Sequence, residues 1–106
     1  MIERLESFIK KELSGFLKKE ISLEEGVFVS ITNVLVDDSL EMAKVFVSVF
    51  PEKFYKEVFG ELNLLHKEAR KFLAERIGRH KIPEVKFMRD KNVDAEFKIE
   101  KLLKNK

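Results

Sequence analysis

The chain has 106 residues, no cysteine, a formal net charge of +2 and a hydrophobic fraction of 44%. Those values suit one folded domain over residues 1–106 and exclude a disulfide framework and cysteine-ligated zinc. No apolar run reaches the ~20 residues of a membrane helix, and so mild a net charge leaves the placement of the charges to argue for or against nucleic acid.

The first residues, "MIERLESFIKKE", are charged almost at once and lack the apolar centre of a signal peptide, which places the expected protein in the cytoplasm. Ile2, Leu5, Ile9, Leu13 and Phe16 recur at three- or four-residue steps and predict an amphipathic helix over 2–19. Gly26 supplies a turn before a strand over 27–36. Strict alternation there puts Val27, Val29, Ile31 and Leu35 on one face, with Phe28, Ser30, Thr32, Val34 and Val36 on the other. "DDS" then makes a turn, and residues 43–50 form a second strand with Ala43, Val45, Val47 and Val49 inward. So short a link requires an antiparallel hairpin.

Pro51 opens a short helix interrupted near Gly60. Leu62, Leu65, Ala69, Phe72, Leu73 and Ile77 describe a longer one, which Gly78 ends. "IPEVKFMR", residues 82–89, is a third strand with Pro83 at its start or on an edge. A last helix follows within 91–106, with Asn92 or Asp94 as its cap. The order α-β-β-α-α-β-α predicts an α+β fold, a three-stranded sheet with helices packed on one face. Ile31, Val45, Val47, Leu65 and Phe87 belong to its expected core.

Three stretches resemble the ribosome-binding factor A family of bacterial small-subunit assembly factors. "ITNVLVDDSLEMAKVFVS" matches the family hairpin without a gap, and "KIPEVKFMRD" matches at Ile82, Pro83, Glu84, Val85, Phe87 and Asp90. "IKKELSGFLKKEI" and "KIEKLL" resemble the family's first and last helices. The resemblance implies a type II KH-like RNA-binding domain in which a helix–kink–helix with a small residue replaces the usual glycine-rich phosphate loop. Counting back from Pro83 without a gap puts His66 and Lys67 at the small-residue positions. Deleting one helical turn puts Ala69 there instead, and Ala69 is the expected kink because a bend needs a small side chain. The partners implied are the small ribosomal subunit and its rRNA, with a GTPase assisting release and no cofactor.

Lys67, Arg70, Lys71, Arg76, Arg79 and Lys81 crowd residues 66–81 against only Glu68 and Glu75. Such a stretch either meets phosphates or forms a solvated helix face, and the resemblance favours phosphates. Lys86 and Arg89 extend the patch along the third strand, and Phe28 and Phe46 are aromatic enough to stack on a base or to pack. Asp37 and Asp38 are explained by turn formation, His66 and His80 lack a metal-type partner, and no serine has a His–Asp context. The expectation is a monomeric, non-enzymatic binding protein. A protein–protein module using the open sheet face is the alternative.

Overall fold

The computed structural model describes residues 2–78 and 81–91. Helix α1 spans Ile2–Glu20, strands β1 and β2 span Phe28–Val36 and Met42–Phe50, helix α2 spans Tyr55–Ile77, and strand β3 spans Glu84–Arg89. The sheet order is β1-β2-β3, with β1 antiparallel and β3 parallel to the central β2. A parallel neighbour needs a crossover, and α2 is that crossover. Both helices lie over one face, which makes the mixed three-stranded α+β arrangement expected of a type II KH-like chain. The expected last helix within 91–106 and Arg79 lie outside the described residues.

The α1 stripe buries Leu5, Ile9, Leu13, Phe16 and Leu17, as its periodicity requires. Gly26 turns the chain at φ +85°, a region a side chain rarely adopts, and Val27 N–H closes the turn on the Glu24 carbonyl at 3.1 Å. In β2 the alternation holds: Ala43, Val45, Val47 and Val49 are all inward. Gly78 ends α2 in the left-handed conformation (φ +65°), the usual helix stop.

Strict alternation fails in β1. Val27 and Ile31 are buried, but so are Val34 and Val36, while Leu35 is exposed. The cause is a bulge between Ile31 and Asn33, which face Val47 and Phe46 respectively, leaving Thr32 as the extra residue. One inserted residue reverses every later side chain. The Thr32 hydroxyl donates to Asp90 Oδ2 and lies 3.3 Å from the Phe46 carbonyl, so the bulge is tied to the end of β3. Beyond it the free edge of β1 is covered by side chains. Val34 N–H donates to Asn33 Oδ1 (2.9 Å), and Val36 N–H to Glu6 Oε2 of α1 (2.7 Å).

A second correction concerns the helices after Pro51. The expected short helix is a single 3₁₀ turn, Glu52–Phe54, and α2 then runs uninterrupted through Gly60 and Ala69. No break occurs at Ala69. Its small side chain is fully buried in the core, where helix and sheet meet. Leu65, expected in the core, is only partly buried against it; Leu62 and Leu73 fill the fully buried positions on α2. Phe16 and Phe72 pack α1 on α2 at a ring distance of 5.0 Å.

Candidate nucleic-acid interface

Successive α2 residues are rotated by about 100°, so its buried line of Val58, Leu62, Ala69 and Leu73 leaves two flanks. The flank toward β3 carries His66, Lys67, Arg70, Lys71 and Ala74. With Ile82, Glu84 and Val85 they line a groove of about 520 Å³. Glu57, Glu61, Glu68 and Glu75 recur at i, i+4, i+11 and i+18 and fall on a separate stripe. Lys67, Arg70 and Lys71 stand beside the groove, with Glu68 and Glu75 three and four residues from Lys71 along the helix.

Arg70 is the anchored member of the set. Its Nε and Nη2 donate to the Ile82 carbonyl at 3.2 and 3.0 Å, which ties α2 to the segment before β3. A carbonyl is neutral, so the guanidinium keeps its charge and its other N–H donors. Lys67 and Lys71, one turn apart, are exposed and have no ion pair among the described residues. Lys81 borders the adjoining concavity with Arg70, Ile82 and Glu84. Its ammonium is 3.9 Å from Glu41 Oε1, a contact between exposed groups that is weakly held in water.

The other sequence-predicted cations lie elsewhere. Arg76 turns to α1, where its Nε is 3.1 Å from Glu12 Oε2 and its guanidinium covers the Phe72 ring at 3.6 Å. Arg89 pairs with Glu52 and lies 3.9 Å over Tyr55. Lys86 is exposed on the sheet face opposite the helices. The structure thus gathers Lys67, Arg70, Lys71 and Lys81, sets Lys86 apart, and engages Arg76 and Arg89 with acids of the chain itself.

The sequence reading left out His66, Ala74, Ile82 and Glu84 as groove walls. The spacing 66, 70, 74 was a visible signal for one helix flank; Ile82 and Glu84 come from the following segment and had none. Asp37 is occupied by the hairpin turn. Its Oδ1 accepts the amides of Glu41 (2.8 Å) and Met42 (3.2 Å), around Leu40 in the left-handed region (φ 60°). Chiefly the Met42 amide holds its carboxyl below the usual value of 3.8; desolvation opposes it, and Glu41, Ser39 and Lys81 each add a smaller lowering. Among the described residues no three His, Cys, Asp or Glu side chains gather as a metal site, and no helix is long and apolar enough to cross a membrane. The groove flank presents Lys67, Arg70 and Lys71 together.

A family model described as ribosome-binding factor A matches residues 1–103. The ribosome-binding factor A of Halothermothrix orenii is 36% identical over 102 residues, spanning 95% of this chain and 84% of that protein. That of Brevibacillus brevis is 35% identical over 104 residues, spanning 97% and 86%. Among solved structures, ribosome-binding factor A from Thermus thermophilus superposes with a TM-score of 0.70 at 19% identity, covering 84% of this chain and 94% of that one. A homology model of the Thermus thermophilus protein, fitted into a cryo-EM map of a complex of the 30S subunit with ribosome-binding factor A, gives 0.64 at 18% identity and covers 80% and 90%. The likeness extends over the hairpin, the crossover helix and β3 together, and the chain belongs to the ribosome-binding factor A family.

Proposed function

We propose that this protein binds the small ribosomal subunit through the groove flank of α2 and assists late maturation of the subunit's rRNA. The observation that carries the reading is the cluster of Lys67, Arg70 and Lys71 beside one groove, three cations against the single acid Glu84 on its wall, with no ion pair to any of the three among the described residues. Phosphates fit such a surface, and each one neutralised releases counterions from the RNA. The 30S complex of the Thermus thermophilus protein supports the choice of partner.

The mechanism is population shift. A ligand moves an RNA between conformers only by its differential affinity for them, so the protein holds one mature-like conformer while the rest of the subunit assembles. It acts as a single-domain cytoplasmic monomer, without cofactor or turnover, and leaves before translation with the help of a GTPase.

The test reverses two groove cations. Lys67→Glu with Lys71→Glu should weaken binding to isolated small subunits, flatten the slope of log affinity against log salt by roughly one unit per lost phosphate contact, and leave melting unchanged. In cells relying on this variant, precursor small-subunit rRNA should accumulate, most visibly in the cold. Subunit binding equal to wild type at every salt would remove the groove from the interface.

A further inference from the structure

Strand β1 lies at the edge of the sheet, with β2 as its one neighbour in the order β1-β2-β3. Such an edge presents backbone N–H and C=O groups that the sheet does not pair, and proteins usually cover, charge or twist it. The two halves of β1 differ in this respect. Beyond the bulge, Asn33 and Glu6 take the outward amides of Val34 and Val36. Before it, from Phe28 to Ile31, no group outside the sheet bonds to the edge among the described residues. That stretch also carries no charge and no proline.

A groove of about 450 Å³ lies against the open stretch, walled by Leu17 and Lys18 of α1, by Ile21 and Leu23 after it, and by Val29 and Ile31 of β1. Leu17, Ile21 and Ile31 are buried and Leu23 is 39% exposed, so the groove is apolar and reachable from solvent. Lys18 is the one charged side chain of its wall, exposed and without an ion pair among the described residues; Glu24 lines a different concavity. An occupant that suits all of this has three properties. Its backbone is extended, because only another strand pairs a row of N–H and C=O groups. Its alternate side chains, ~7 Å apart on the helix side, are apolar. It brings a carboxylate to Lys18. A nucleic acid has the charge but no backbone N–H groups to complete the ladder. Four open residues span about 13 Å, room for two inward side chains.

We infer that the open half of the β1 edge binds an extended acidic segment of a partner protein. The segment adds to the sheet as a fourth strand, sets alternate apolar side chains beside Leu17, Ile21 and Leu23, and places a carboxylate at Lys18. The bulge and the Glu6 contact beyond it end the pairing at Ile31, which fixes the length of the added strand. The site is at the opposite edge of the sheet from β3 and the cationic groove, so a protein segment and RNA are held without competing. Nothing in this contact depends on RNA binding.

The probe is a panel of blocked, fluorescein-labelled octapeptides in which valine, isoleucine, leucine or phenylalanine alternates with threonine and both ends carry aspartate. Fluorescence anisotropy should show saturable binding, and amide hydrogen exchange within residues 28–31 should slow while peptide is bound. Methylating one alternate set of peptide amides should abolish binding and methylating the other should leave it, because one edge of an added strand faces β1. Lys18→Glu should weaken binding about two- to fivefold and shift the preference to lysine-ended peptides. Leu23→Ser should weaken it about tenfold. Both side chains are exposed, so these variants should melt like wild type. Lys67→Glu with Lys71→Glu should leave peptide binding unchanged, which separates this site from the RNA groove. No saturable binding across the panel, or indifference to both methylation patterns, overturns the inference. Displacement of bound peptide by single-stranded oligo(A) RNA also overturns it, since the edge would then belong to the RNA surface. Wild-type self-association that Leu23→Ser abolishes does the same, the edge then meeting a second copy.

Discussion

Arg76 of α2 is held by Glu12 of α1, Nε to Oε2 at 3.1 Å, while its guanidinium plane covers Phe72 at 3.6 Å. The contact joins the two helices where Phe16 and Phe72 already pack. Arg76, a candidate phosphate contact in the sequence, thus braces the two helices in this structure. Arg76→Glu would face Glu12 with a like charge and expose the Phe72 ring. The expected loss is about 1 kcal/mol, a drop in melting temperature of roughly 4–8 °C for a domain of this size. Lys71→Glu should show the reverse pattern, with melting unchanged and RNA affinity reduced. Thermal melting and subunit binding measured on both variants check the division.

Thr32→Val keeps the β-branched shape of the bulged residue and removes only its hydroxyl. Asp90 then loses the donor that ties the end of β3 to β1. A hydrogen bond to a charged group contributes about 1.5–3 kcal/mol, and because the Asp90 carboxylate is only partly buried the lower end is expected. Urea unfolding should show the midpoint falling with an unchanged slope, since the surface exposed on unfolding stays the same. A midpoint equal to wild type would show that water replaces the hydroxyl without loss.

The hairpin turn carries an acid-sensitive contribution. Asp37 has its carboxyl held below the usual value of 3.8, first by the Met42 amide. For an acid with a depressed folded pKa, the unfolded chain takes up the proton first as pH falls. The stabilisation is therefore complete above about 3.8 and is lost as pH falls through the lower folded value. Asp37→Asn removes this titration. Wild type should be the more stable protein at neutral pH, and the two urea midpoints should converge in the acid range below 3.8. Parallel curves throughout would show that Asp37 makes no pH-linked contribution.

Val47 is fully buried on the central strand, opposite Ile31 at the start of the bulge. Val47→Asp places an unpaired charge there, costing several kcal/mol, which is comparable with the ~5–15 kcal/mol of a whole domain. The variant should show no cooperative melting by circular dichroism. A transition at the wild-type temperature would mean that Val47 does not face the core.

Local pattern was enough for much of this protein. The α1 stripe, the inward valines of β2, the turns at Gly26 and Asp37 and the stop at Gly78 each follow from neighbours within a few residues, where helical and strand periods and turn chemistry act. The hairpin and the run from Ile82 to Asp90 also carried the family likeness. Tertiary structure decided the rest, because the deciding partners are far apart in the chain. The bulge at Thr32, which reversed the second half of β1, is visible only against β2 and is anchored 58 residues away at Asp90. Periodicity has no direction, so the parallel pairing of β3 had to come from the crossover. Ala69 is fully buried in the core, a place for a small side chain that sequence alone does not separate from a kink. Above all, a basic stretch does not reveal which of its cations face solvent. Glu12, Glu52 and the Ile82 carbonyl claim Arg76, Arg89 and one side of Arg70 across long separations, and what they leave exposed beside the groove is Lys67 and Lys71.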